Sequence, residues 1–281
     1  MKVKILIDSA SDINAEEAKE LGVELVPIEV RFGEKQYLDG VTLLPMQFYD
    51  KLIESAELPK TSQINSFTFE ERFAELVGQG YEVVAIVLSS KLSGTYRNAV
   101  TAAKKFKEKV FVVDSLNASI GERMLCQYAL KLAGEGLAAK QIAQKLDEVK
   151  KKINFIALLD TLLYLKKGGR ISAVTAFAGQ MFSIKPVVSV IGGEVKLIGK
   201  AVGSKKGNNL LNSLVNKKDI DLSMPYGTIY SGTDDSKLNK YIRDSEEIWK
   251  GKVESVPVHM LGCTIGTHIG PGAIGVAFFE K

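Results

Sequence analysis

At 281 residues the chain is long enough for one large domain or two moderate ones, and 46% hydrophobic with 25% charged residues is the composition of an ordinary globular protein. A net charge of +4 is too mild for a nucleic-acid binder, and no basic run is interleaved with stacking aromatics. The two cysteines, Cys126 and Cys263, stand far apart with no CxxC pair, which excludes a zinc-type spacing and a disulfide framework.

The apolar start of MKVKILIDSASD gives way to polar residues too soon for a cleavable signal, and no apolar stretch approaches membrane-spanning length. The expectation is a reduced, cytoplasmic protein with transient membrane contact left open. Val3 to Ile7 reads as a buried strand ending in Asp8-Ser9, and Asn14 with Glu17 caps a short helix that closes at Gly22. Val23 to Phe32 reads as one strand near an edge, because Pro27 cannot donate to a ladder. A polar turn over residues 33–39, a helix from Met46 to Ser55 behind Pro45, and a loop from Leu58 to Asn65 follow. Thr68 and Glu71 form a capping box for a helix ending near Gly78.

The stretch LSSKLSGTYRNA, residues 88–99, joins an apolar strand (Val83 to Leu88) to a helix with Tyr96, Ala99, Val100, Ala103 and Phe106 on one face. Backbone N–H groups and hydroxyls gathered at a helix N-terminus suit an anionic oxygen, although Ser93 or Thr95 also suits ordinary capping. With the strand Val110 to Val113 this makes a parallel βαβ unit. Ligands bind beyond the carboxyl ends of such strands, where Asp8-Ser9, Ser89 to Thr95 and Asp114-Ser115 all fall.

Helices are expected over residues 120–132 and 138–152, then a strand over 154–159 and a short helix ending at Gly168-Gly169-Arg170. An apolar helix over 171–184 carries Phe177, Met181 and Phe182, and Gly192-Gly193 turns a hairpin within 187–200. A helix (205–216), a strand (227–230), a helix (236–249) and a strand (253–258) complete a second α/β unit. The expected fold is therefore α/β with two domains, 1–155 with a mainly parallel sheet and 156–281 with a mixed one. Near the end, Gly270-x-Gly272-x-x-Gly275 matches a dinucleotide fingerprint, but no helix follows it, so the glycines are read as tight backbone around His268.

Asp8-Ser9, Thr61-Ser62-Gln63, Ser89 to Thr95, Lys167-Gly168-Gly169-Arg170-Ile171 and Gly266 to Ala273 (GTHIGPGA) occur in an order that resembles the DegV family of bacterial fatty-acid-binding proteins. The resemblance covers nearly the whole chain. It implies one long-chain fatty acid held between the two domains, no cofactor, no metal, no catalysis of its own, and a role in fatty acid metabolism or lipid transport. A separate kinase subunit would phosphorylate the bound carboxylate. Thr61 and Ser93 would bind that carboxylate, with Ser62, Gly94 and Thr95 around them and His268 and Arg170 close to the head group. Phe177, Met181 and Phe182 would contact the tail. One departure concerns the segment Lys200 to Lys206, which carries lysines where the family often has arginines, so docking to a kinase there would rest on lysines alone.

Two other function classes fit parts of the sequence. A serine hydrolase would use Ser93 as nucleophile and His268 as base, without a GxSxG elbow and with no role for Thr61. A regulator that binds phosphate or sugar would need a polar pocket.

Overall fold

The computed structural model describes residues 2–171 and 183–281. The first half contains β1 (Lys2–Asp8), α1 (Ala15–Leu21), β2 (Glu24–Val26), β3 (Glu29–Phe32), β4 (Lys35–Leu38), α2 (Pro45–Glu54), β5 (Lys60–Ser62) and α3 (Ser66–Gly78). It continues with β6 (Tyr81–Val87), α4 (Thr95–Ala103), β7 (Val110–Asp114), α5 (Ile120–Gly134) and α6 (Ala139–Val149). The second half contains β8 (Ile153–Leu158), α7 (Leu163–Lys167), β9 (Ile184–Ile191), β10 (Glu194–Val202), α8 (Ser204–Asn216) and β11 (Tyr226–Tyr230). It ends with α9 (Ser236–Asp244), α10 (Glu246–Trp249), β12 (Val258–Met260), α11 (Cys263–Ile269) and β13 (Ile274–Phe279).

Three sheets result. A four-stranded parallel sheet has the order β2-β1-β6-β7, a six-stranded mixed sheet the order β10-β9-β8-β13-β11-β12, and a small antiparallel sheet the order β4-β3-β5. Alternation along the strands assigns their faces. Leu6, Val83 and Ala85 face α3 and α4, whereas Ile5, Ile7, Val84 and Ile86 face the buried helix α5. On β8, Phe155 and Ala157 turn toward α5 while Ile156 and Leu158 pack against Leu211 and Val215 of α8 and Leu238 of α9. Helix α5 is thus shared by both sheets, and the two halves of the chain are joined by one continuous core.

The expected fold class is borne out, with corrections at short elements. The strand read over residues 23–32 is two strands in different sheets, because the chain turns at Pro27-Ile28. Residues 33–39 and 58–65, read as turn and loop, contain β4 and β5, which are too short and polar to show alternation. Helix α3 starts two residues before the capping-box threonine, with Asn65 Oδ1 accepting from Thr68 N at 2.9 Å. The helix read over 236–249 breaks at Ser245, whose hydroxyl bonds back to the Tyr241 carbonyl. The last parallel strand lies at 258–260, not 253–258. The expected helix over 171–184, with Phe177, Met181 and Phe182, lies outside the described residues except at its ends, where Ile184 begins β9.

The sequence pattern predicts no helix over Cys263–Ile269, yet this segment is the helix α11, followed by the positive-φ glycines Gly270 and Gly272, and tertiary contacts impose it. Two buried carboxylates from the first half of the chain hold its N-terminus. Asp12 Oδ1 accepts from Gly262 N at 2.8 Å, and the Asp39 oxygens accept from Cys263 N at 3.0 Å and Thr264 N at 2.9 Å. Burial pushes the Asp12 carboxyl up to about 7 and raises that of Asp39 too.

Candidate functional site

Between the sheets lies a cleft that is partly open to solvent. Its walls are mostly aliphatic: Phe155 and Ala157 from β8, Val188 and Val190 from β9, and Ile265 and Ile269 from α11. Thr61, Ser62, Ser93, Arg170 and His268 all line it, as do Gln63, Ser189 and Thr264.

Most of those polar groups are contiguous. Thr61 Oγ1 lies 2.9 Å from His268 Nε2. His268 packs against Gly168, where an added Cβ would come within 2.3 Å of Nδ1. The Gly168 carbonyl accepts from Arg170 Nη1 at 2.6 Å, and Arg170 Nε reaches the Leu92 carbonyl at 3.3 Å. Ser93 follows Leu92, and Gly94 is packed by the Gln63 side chain, an added Cβ there falling 1.9 Å from Gln63 Oε1. Gln63 returns the path through Ser62 to Thr61. Chain segments from residues 61–63, 92–94, 168–170 and 268 therefore form a closed ring at the cleft.

Electrostatics within the ring are simple. Burial, reinforced by the nearby Arg170 charge, pushes the His268 imidazole down to about 4, so it is neutral at pH 7. Arg170 is the cation among the described lining residues. No cluster of metal-ligating side chains occurs among the described residues, and no helix among them is long and apolar enough to cross a membrane.

Thr95 stands behind the ring. It is buried and does not line the cleft. Its Oγ1 accepts from Ile64 N at 3.3 Å and lies 3.0 Å from Ser93 Oγ, which itself accepts from Thr95 N at 3.2 Å. Two of the three polar strand ends turn out to be internal fasteners. Asp8 accepts from Ala10 N and Leu88 N, both at 2.8 Å, and Ser9 accepts from Ile28 N at 2.9 Å. Asp114 accepts from Ser90 N and Leu116 N. These groups satisfy backbone donors that the sharp turns leave unpaired, and of the three strand ends only the turn after β6 brings polar side chains to the cleft.

Sequence reasoning missed the apolar wall on β8 and β9. The sequence pattern predicts a strand over 154–159 and a hairpin within 187–200, but not which of their faces meets an empty space. Ser189, which interrupts the apolar run of β9, was the available signal for a residue at that wall.

These features define an α/β protein of two large sheets and one small one, with an apolar cleft most of whose polar groups gather in one ring. The chain belongs to the DegV family: the family model described as "Uncharacterised protein, DegV family" matches residues 2–281. A DegV domain-containing protein of Caldanaerobacter subterraneus subsp. tengcongensis is 33% identical over 284 residues, covering 100% of this chain and 99% of the relative. A protein of Thermotoga maritima named fatty acid-binding protein is 31% identical over 286 residues, covering 98% and 96%. The solved structure of a DegV family protein from Thermus thermophilus, described for its fatty acid binding, matches with a TM-score of 0.88 at 30% identity over 100% of both chains.

Proposed function

We propose that this chain binds one long-chain fatty acid in the cleft and presents it, without catalysis of its own, to a separate kinase subunit that forms the acyl phosphate. Thr61 and Ser93 donate to the carboxylate, with Ser62, Gly94 and Thr95 around them, and His268 and Arg170 beside it. The tail follows the apolar wall, with Phe177, Met181 and Phe182 as further tail contacts. The two halves meet near residue 155.

The single observation that carries this reading is the closed polar ring on an otherwise aliphatic cleft. With the proton of neutral His268 assigned to Nε2, that nitrogen donates to Thr61 Oγ1 and the Thr61 hydroxyl proton is left for a ligand. Ser93 Oγ accepts from Thr95 N and lies 3.0 Å from Thr95 Oγ1; with the Thr95 proton assigned to that contact, the Ser93 proton is left for the same ligand. Two hydroxyl donors beside a guanidinium suit a carboxylate. Each buried methylene contributes about 0.8 kcal/mol, so ten of them give roughly 8 kcal/mol and dominate affinity. The head-group bonds then fix orientation.

The hydrolase alternative gains no support from the geometry. His268 Nε2 engages Thr61 rather than Ser93, and Nδ1 has no hydrogen-bond partner to orient it. A phosphate or sugar site would need a polar pocket, whereas the lining here is mostly apolar. Organic extraction and mass spectrometry of the purified protein, followed by reloading of the delipidated protein, tests the proposal. Co-purified fatty acid and saturable rebinding are expected. Absence of both refutes it.

A further inference from the structure

Strands β8 and β9 are paired only at Leu158 with Val187, Ala157 with Val188 and Ile156 with Ser189. Both strands continue beyond that point without pairing to each other. β9 stays bound to its outer neighbour, Val190 opposite Val195 and Ile191 opposite Glu194, and β8 stays bound to β13 down to Ile153. The ladder thus stops short of Phe155 and Val190, leaving an unbridged fork at that end of the strand pair. Paired strands stand about 4.7–4.9 Å apart and admit nothing between them, whereas a fork admits an extended hydrocarbon.

A second cavity lies on the far side of the fork, and Ser189 and Val190 line both spaces. Its inner wall is aliphatic, formed by Ile156, Ile191, Ile198 and Leu214. Two of the three lysines at its rim are ion-paired, Lys150 with Asp147 at 2.7 Å and Lys218 with Glu280 at 3.1 Å. Ile191 is 52% exposed there, a large apolar side chain left uncovered at the fork.

We propose that the fork is an outlet through which the methyl end of a long acyl chain passes from the main cleft into this second cavity, with Val190 at the throat. The proposal rests on the fatty-acid binding put forward above. A rigid closed end would make affinity fall once the chain reaches the wall. An outlet lets it keep rising with length.

The test is a displacement titration of delipidated full-length protein with a homologous series of saturated fatty acids. The variants are Val190→Trp, which plugs the throat, and Ile191→Asp, which places a charge on the exit path from a half-exposed position that tolerates it. For the natural protein, affinity is expected to rise roughly fourfold per methylene, the equivalent of about 0.8 kcal/mol, through the longest acids that stay soluble. In both variants that increment should vanish for the long members, lowering the long-to-short affinity ratio at least tenfold. Should Val190→Trp fail to fold, Ile191→Asp decides alone. Variant profiles that parallel the natural one, or a natural profile that drops at long chains, overturn the outlet. A natural protein that binds no member of the series instead overturns the fatty-acid assignment itself.

Discussion

Replacing Thr61 by valine preserves the shape of the side chain and removes its one polar atom. In the structure that atom has two duties: it meets His268 Nε2 at 2.9 Å, and it faces the cleft. Loss of a hydrogen bond to a charged carboxylate is worth about 1.5–3 kcal/mol, roughly a tenfold to 150-fold increase in Kd. Valine also strands His268 Nε2 in the same condition as Nδ1, which already lacks a partner, so the ligand-free protein should lose about 1–3 kcal/mol of stability. Displacement titration measures the first effect and chemical unfolding of the delipidated protein the second. A variant with lowered stability but a Kd within twofold of the natural value would show that the hydroxyl serves only His268. The head-group assignment would then fall.

Gly168→Ala should weaken binding several-fold, since the new Cβ would lie 2.3 Å from His268 Nδ1 and must displace the ring that orients Thr61; an unchanged Kd would contradict that linkage. His268→Gln should expose a pH signature. The folded imidazole sits at about 4 against an ordinary 6.5, so the folded chain binds fewer protons than the unfolded one between those values. Its stabilising contribution is complete above 6.5 and is lost as pH falls toward 4. The stability difference between natural protein and variant, from urea titrations, should therefore rise with pH across that window and level off above it; a flat difference refutes the shift. Arg170→Ala should impair acyl phosphate formation by a partner kinase more than fatty-acid binding, and equal losses would contradict its role in presenting the carboxylate.

The sequence by itself was sufficient for the large elements. Apolar strands such as 83–88, the hairpin at Gly192-Gly193 and the helix caps at Asn14 and Gly22 are specified by neighbours within a few residues, so local patterning reveals them. The order of the motifs, from Asp8-Ser9 to the glycines around His268, was enough to indicate the family. Roles within the site were not legible in the same way. Asp8 and Asp114 looked like ligand-facing groups, yet they fasten turns, because only the folded chain shows which backbone donors were left without partners.

Tertiary structure decided the rest. Helix α11 forms from CTIGTHI, a segment of weak helical propensity, because Asp12 and Asp39, more than two hundred residues earlier in the chain, accept the N–H groups at its start. That helix carries His268 to Thr61, 207 positions away in sequence, and no local pattern encodes a contact of that range. Nor can alternation along β8 and β9 reveal where their ladder stops, since pairing is a property of two strands and not of either one alone. Residue types set which groups were available for the chemistry. The packing of the two sheets on α5 determined which of them meet around the cleft.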